Sequence, residues 1–189
     1  MFRAAALARV LDLAAQHAGS GRFPRDTVGA LARAGYLGGD PGPEVVGRIE
    51  AVCPATAAVL RSHYAALALI GTGLGPWLHA EIAAGRHLST VALTDDPAVP
   101  STAVEGGGVV RLTGRKLDVV AAGEADSYVW SGRRADGEPG LWLVPAQARG
   151  LLVPDRPDGA GPAGCSSSSV RADPVLLPAS VALRGAARV

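Results

Sequence analysis

The first half of the chain carries apolar residues at helical spacing. Leu7, Val10, Leu11 and Ala14 follow the i, i+3, i+4, i+7 pattern that places residues on one face of a helix. Glycines from Gly19 onward end this pattern, since glycine is a frequent helix stop. The sequence therefore begins with an amphipathic helix.

Four further helices are predicted before residue 87. Proline at the start of a segment and glycine just after its end mark helix boundaries. The first turn of a helix does not use the backbone N–H that proline lacks, and glycine readily adopts the left-handed conformation that ends a helix. The first segment is 24–34, which is followed by Gly35, and the second is 43–52. The third is a long apolar helix that opens at Pro54 and continues with the sequence ATAAVLRSHYAALALI. The fourth is 77–84, which is followed by Gly85.

After Leu88 the apolar pattern changes to alternation, which is typical of strands. Turns are predicted at Gly106–Gly108, Thr113–Gly114 and Asp136–Gly137. The predicted strands are 88–94, 108–113, 115–121, 126–132, 140–145, 150–153 and 167–172. We expect an α+β protein in which an all-α helical domain (1–86) precedes a small antiparallel β-barrel or sandwich domain (87–189).

Composition narrows the class of protein. Of 189 residues 48% are hydrophobic and 19% charged, with a net charge of +1, which is typical of a globular chain. No basic cluster is present, which argues against nucleic acid or an anionic membrane as a partner. The longest apolar run, AALALIGTGLGPWL, is too short and irregular to span a bilayer, so we expect a cytoplasmic protein. Frequent alanine and a single lysine, Lys116, indicate a GC-rich bacterial source.

Local motifs predict no complete catalytic site. Gly71-x-Gly73-x-Gly75 resembles a dinucleotide loop, but a helical pattern precedes it, so a helix–helix connector is favoured. His63 is interpreted as a packed histidine, with general-base chemistry as the alternative.

No metal site is expected. His79 and Glu81 lie two residues apart and therefore on different faces of a helix. Asp95 and Asp96 follow a strand, where paired carboxylates either bind a cation or cap a turn. Turn capping is the favoured interpretation.

The order of segments along the chain resembles the acyl-CoA dehydrogenase family. The family pattern has an early F-P…L…G-x-L-G segment and then a long buried helix. A strand followed by T-E-P-x-A-G-S-D comes next, and then a G-x-K-x-x-I-T strand. This chain has matching segments in the same order. The matching segments are RFPRDTVGALARAGYLGG, ATAAVLRSHYAALALI, STVALTDDPAVPST, VVRLTGRKLDVVAAGEADSYV, GLWLVPAQARGLLV and VRADPVLLPASVAL.

This resemblance implies an FAD-binding fold and places a flavin face on the β domain. The positions that match it are Val91, Leu93, Thr94, Ser101, Asp118 and Val120. Asp118 stands where the family has an aromatic residue and Val120 where it has a threonine. A carboxylate there opposes the negative charge of reduced flavin, and valine removes a hydroxyl donor.

The resemblance leads to two hypotheses. In the first, the protein is a truncated acyl-CoA dehydrogenase-like flavoprotein that desaturates an acyl thioester on coenzyme A or a carrier protein. The family's C-terminal helical domain, with its catalytic base, would begin at about Val189 and would come from a separately encoded partner chain; a homo-oligomer is the alternative partner. In the second, a flavin-free protein of secondary metabolism performs cyclisation or dehydration on an acyl or polyketide substrate. Asp118 is then the candidate general acid/base, with Asp95 or Asp96 as secondary candidates.

Overall fold

The computed structural model describes residues 2–39, 41–71 and 75–183. Five helices come first along the chain, at the predicted places. Left-handed glycines end two of them, with φ of 76° at Gly35 and 74° at Gly85. The helices are α1 (Phe2–His17), α2 (Arg25–Arg33), α3 (Pro43–Val52), α4 (Pro54–Ile70) and α5 (Gly75–Ala83).

A curled seven-stranded sheet follows the helices. The strands are β1 (Ser89–Ala92), β2 (Thr102–Gly106), β3 (Val109–Val119), β4 (Ser127–Arg134), β5 (Pro139–Pro145), β6 (Leu151–Leu152) and β7 (Ser168–Pro178). They are ordered β1-β4-β2-β3-β7-β6, and β5 pairs with β4. The α+β class is confirmed. The sheet, however, is mixed rather than antiparallel, since β4 runs parallel to both β1 and β2.

The predicted turn at Thr113–Gly114 is wrong, because β3 continues through both residues. Gly114 has a φ of +131°, and a Cβ placed on it would lie 2.5 Å from the Cα of Ser101. Glycine is therefore present so that another segment can approach the strand, and the register of β3 against β7 shifts nearby. Strand β2 was missed because only Ala103 along it is buried, which leaves no alternation to detect.

Helices and sheet share a hydrophobic core. Leu88, Ala121 and Cys165 from the β half belong to the same buried cluster as the helical residues. Helix α4 packs against β1, and the buried ring of His63 on α4 lies 3.0 Å from the carbonyl oxygens of both Ser89 and Leu37. His63 is therefore a packed histidine that joins the two halves. In the described part of the chain, no helix has the length and apolarity needed to cross a membrane.

Candidate functional site

A groove of about 560 Å³ lies between α4 and the ends of β1 and β3. The resemblance to a flavin-binding fold predicted six site residues. Five of them line this groove: Val91, Leu93, Thr94, Asp118 and Val120. The tertiary structure thus brings together residues from two segments that are separated by more than twenty positions in the sequence.

The floor of the groove follows directly after β1. The side chain of Leu93 is 42% exposed there, and Thr94 beside it is also exposed. Among the described residues, the Thr94 hydroxyl has no hydrogen-bond partner. An exposed apolar side chain beside an unsatisfied hydroxyl is a surface suited to an apolar ligand with a polar edge.

Lys116 supports this floor from below. Its ammonium group is fully buried and donates to Asp95 Oδ1 at 2.6 Å, to Ser131 Oγ at 2.7 Å and to the Leu93 carbonyl at 3.4 Å. It also lies 5.4 Å from the centre of the Trp130 ring, a cation–π contact. The single lysine of the chain therefore fixes the backbone that forms the groove floor.

The pKa values of Lys116 and Asp95 are both shifted in their ion pair. Burial lowers the pKa of Lys116, while the hydrogen bond and charge of Asp95 act in the opposite direction. Burial has the largest single effect on Asp95 and raises its pKa, but the hydrogen bonds from Lys116 and Ser101 and the charge of Lys116 together lower the pKa below its usual value. The carboxyl group of Asp95 is therefore ionised near neutral pH.

A β-bulge turns Asp118 toward the groove. The register of β3 against β7 shifts between Lys116 and Val119, and Asp118 adopts a left-handed φ of 52°. The alternation of side chains along a strand predicts that Leu117 and Val119 face one side and that Asp118 and Val120 face the other. That prediction is wrong: Leu117, Asp118 and Val120 all line the groove, whereas Val119 is buried in the sheet core.

The carboxylate of Asp118 also holds the loop before β7. Its Oδ1 accepts a hydrogen bond of 2.7 Å from the backbone N–H of Ala160. Pro162 in the same loop lines the groove. The small-residue loop predicted to be flexible is thus tied to the sheet at the edge of the groove.

The other end of this loop is tied by Asp158. Its carboxylate accepts hydrogen bonds from the Ser169 N–H at 2.6 Å and from the Ser168 and Ser169 hydroxyls at 2.8 Å each. These bonds, the backbone one foremost, lower the pKa of Asp158 to about 2. From the sequence, these serines are interpreted only as a polar strand or loop edge. In the structure, Ser168 and Ser169 hold the Asp158 carboxylate that anchors the loop.

The helical wall of the groove carries residues that sequence reasoning missed. Arg61 on α4 forms a two-pronged ion pair with Glu50 on α3, in which Nη1 lies 2.7 Å from Oε1. Ser62 Oγ lies 2.6 Å from Thr90 Oγ1, which donates to the carbonyl of Val120 at 2.7 Å. Arg61 interrupts an apolar helix, and that was the available signal of a solvent-filled groove beside it.

Ser101 lies apart from the other five predicted residues. It lines a second depression of about 430 Å³, together with Thr102, Ser131 and Arg133. Ser101 is only 2% exposed, beneath the close approach of Gly114. The assignment of Ser101 to the flavin face stays a prediction.

Comparison with solved structures decides the fold. Glutaryl-CoA dehydrogenase from Mycobacterium smegmatis superposes with a TM-score of 0.82 at 20% identity, over 98% of this chain and 55% of that one. FkbI, for biosynthesis of the methoxymalonyl extender unit of the FK520 polyketide, gives 0.80 at 22% identity, over 99% and 59%. The chain has the acyl-CoA dehydrogenase fold. The expectation from its segment order is confirmed at the level of fold.

A third solved structure with this fold carries a flavin. KijD3 in complex with FMN and dTDP-3-amino-2,3,6-trideoxy-4-keto-3-methyl-D-glucose matches with a TM-score of 0.72 at 26% identity, over 95% of this chain and 51% of that one. The chain thus spans little more than half the length of the solved proteins it matches. No family model and no curated protein matches the sequence.

The groove of this acyl-CoA dehydrogenase-fold chain has a suitable surface for a flavin ring. Exposed Leu93 and the apolar side chains of Val91 and Val120 line the groove together with the hydroxyl-bearing Thr94. Asp118 is the member that adds negative charge. The residues therefore fit the ring, and the carboxylate favours its neutral forms over an anionic one.

The remaining motifs have structural roles where they are described. Asp96 Oδ1 accepts the Ala98 N–H at 2.9 Å and caps a turn, as favoured from sequence. Within the described ranges, no group of three metal-ligating side chains is suitably placed to hold an ion. Gly71 ends α4, but the middle glycine of the Gly71-x-Gly73-x-Gly75 motif lies outside the described residues.

Proposed function

We propose that this chain forms the helical and β parts of an acyl-CoA dehydrogenase-like oxidoreductase, and that the groove beside α4 holds a flavin ring. The observation that carries the proposal is the convergence of Val91, Leu93, Thr94, Asp118 and Val120 on one groove. The resemblance to the acyl-CoA dehydrogenase family implies a flavin face at these same residues.

Each part of the groove has a task in this proposal. Leu93 and Val120 support the ring by apolar contact, and the Thr94 hydroxyl hydrogen-bonds its polar edge. Lys116 keeps the floor rigid through the Leu93 carbonyl. A bound flavin supplies a hydride acceptor for the β-carbon of an acyl thioester that loses its α-proton to a base.

The base and much of the flavin contact are assigned to a helical domain outside this sequence. The solved relatives are nearly twice as long as the matched region, which leaves room for such a domain. We propose that a partner chain or further polypeptide supplies it and that the thioester is carried by coenzyme A or a carrier protein. Trp77 on α5, 69% exposed, is an apolar side chain available for that contact.

Reconstitution with flavin tests this proposal. The protein is titrated with FAD and with FMN, and binding is followed by visible absorbance and by quenching of flavin fluorescence. Leu93→Asp is expected to weaken binding at least about tenfold, because it places a second carboxylate against the ring. Leu152→Asp changes an equally exposed leucine outside the groove and is expected to bind as the unaltered protein does.

Two results would contradict the flavin proposal. One is a protein that stays colourless with both flavins, with and without a co-expressed helical domain. The other is equal loss of binding in the Leu93→Asp and Leu152→Asp variants, which would place the flavin elsewhere.

A second candidate function rests on Asp118 itself. One carboxylate oxygen is held by Ala160, and the other has no partner among the described residues. A carboxylate fixed in this way at the edge of a ligand groove is suited to proton transfer. In a flavin-free dehydration, Asp118 would take the α-proton of a β-hydroxyacyl thioester and return that proton to the β-hydroxyl, which would leave as water while the α,β double bond forms.

The Asp118→Asn variant tests this second function. It is expected to lower turnover of a carrier-bound β-hydroxyacyl thioester about a hundredfold or more while the circular dichroism spectrum is unchanged. Turnover that survives in the variant, or no turnover in the unaltered flavin-free protein, would exclude acid–base catalysis by Asp118.

A further inference from the structure

Backbone strain in this protein is concentrated at one edge of the groove. The described non-glycine residues with left-handed φ are Asp118 at 52°, Ala121 at 58° and Ser166 at 50°. They lie on two segments that pair directly, since Ala121 N–H donates to the Cys165 carbonyl and Ala122 N–H to that of Ser166, both at 2.9 Å. Such conformations cost free energy and persist where the surrounding structure fixes them, frequently at ligand sites.

The paired segments hold the Asp118 carboxylate in one orientation. The bulge sets its backbone, and the Ala160 N–H fixes Oδ1 at 2.7 Å. Within the described chain, Oδ2 accepts no hydrogen bond and forms no ion pair. The side chain is therefore a preoriented acceptor with one oxygen available to a ligand.

The groove lining has a net negative charge because of this carboxylate. Its charged residues are Glu50, Arg61 and Asp118. The first two neutralise each other in their ion pair, which leaves the negative charge of Asp118 without a counter-ion. The apolar residues Leu93, Leu117 and Val120 line the same groove. Such a site favours a cation on an apolar body.

We infer that Asp118 makes the groove selective for a ligand that bears a protonated amine, whose ammonium group pairs with the free Oδ2 while its apolar part contacts Leu117. This inference rests on the proposed function only in treating the groove as the ligand site. An ammonium group between Asp118 and a reduced flavin also cancels the repulsion between their negative charges, so the aspartate becomes compatible with the ring.

A matched series of probes tests the selectivity. Hexylammonium chloride, hexanol and sodium hexanoate share one apolar chain and differ in charge. Binding is followed by the amide resonances of Ala160 and Val120 in nitrogen-15 spectra of the full chain. We expect saturable shifts of both resonances with hexylammonium, about tenfold weaker binding of hexanol, and none of hexanoate.

Asp118→Asn isolates the role of the charge. Asparagine tolerates the left-handed conformation and retains an oxygen that accepts the Ala160 N–H, so the loop stays in place. We expect hexylammonium affinity to fall about tenfold in this variant. Asp155→Asn removes the same charge from an exposed residue outside the groove and is expected to leave the affinity unchanged.

The inference is overturned if hexanol or hexanoate binds as tightly as hexylammonium, if Asp118→Asn retains full amine affinity, or if none of the probes gives a saturable shift. The flavin titration separates this inference from the proposed function. Flavin binding without a preference for the amine would contradict only the inference about Asp118. Amine binding without any flavin binding would contradict only the proposed redox function.

Discussion

Lys116 Nζ lies 2.6 Å from Asp95 Oδ1, so that a fully buried ammonium is paired with a carboxylate that is partly exposed. The pair joins the middle of β3 to the segment after β1, at the floor of the groove. The same ammonium reaches Ser131 on β4. One side chain therefore connects three parts of the sheet beneath the candidate site.

Lys116→Met is expected to destabilise the protein by about 3 kcal/mol, because it removes the partner of Asp95 and the ammonium group that donates to Ser131 Oγ. Urea unfolding measures the change. Asp95→Asn is the companion variant, and the double variant completes a cycle that isolates the coupling between the two residues. Strictly additive effects would show that the two side chains do not stabilise each other.

Gly114→Ala is expected to cost about 3 kcal/mol or more. The new methyl group would lie 2.5 Å from the Ser101 Cα, and the φ of +131° strains any residue with a Cβ. The control is Gly106→Ala, at a position with no described atom within 4 Å of the new methyl group. Similar melting temperatures for the two variants would refute the close approach of Ser101 to β3.

His63 is expected to make the protein less stable in mild acid. Burial lowers the pKa of its imidazole below the ordinary value of 6.5, so the unfolded chain takes up this proton before the folded one does. The folded state is therefore fully favoured above pH 6.5 and loses stability as the pH falls through 6.5 toward the lower folded pKa.

Unfolding free energies measured across this pH range check the prediction. His63→Gln is expected to be less stable overall but to depend less on pH. The residual slope then belongs in part to His87, whose pKa burial also lowers. A His63→Gln profile parallel to that of the unaltered protein would exclude His63 as its source.

Asp158→Ala is expected to release the loop before β7. The variant loses the acceptor of the Ser169 N–H and of two serine hydroxyls, so residues near 158–165 become accessible to proteinase K. Since the pKa of Asp158 is lowered to about 2 from 3.8, its contribution to stability is complete above pH 3.8 and is lost as the pH falls toward 2.

The rate of cleavage in native conditions measures this release. Asp155→Ala changes a nearby exposed carboxylate that has no partner among the described residues, and its cleavage rate is expected to match that of the unaltered protein. Equal protection of the Asp158 and Asp155 variants would show that the loop is held by its other contacts alone.

The helical half could be predicted closely because its signals are local. The four-residue spacing of apolar side chains, the prolines that open α3 and α4, and Gly35 and Gly85 as stops all act within one or two turns. The strands were harder to place. Gly114 was interpreted as a turn because its contact with Ser101 depends on a segment thirteen residues earlier, and nothing near it in the sequence indicates that contact.

Some features of the candidate site could likewise be predicted from the sequence, and others could not. The order of segments along the chain was enough to assign the fold and to select five residues that converge on one groove. The Arg61–Glu50 wall, the burial of Lys116 and the contact between Asp118 and Ala160 were not predicted. Each of them depends on a partner outside the local segment, which neither hydrophobic periodicity nor spacing can report.

The sequence by itself determined the α+β order of elements and the helix boundaries, because periodicity and chain-breaking residues are properties of neighbouring positions. The positions that a flavin fold would use are implied only by the resemblance to the acyl-CoA dehydrogenase family. Tertiary structure alone decided where the carboxylate of Asp118 lies. A bulge between Lys116 and Val119 overrides strand alternation, and Ala160 fixes one oxygen of the side chain. The physical reason is that a register shift is set by packing across the sheet, between residues distant in sequence.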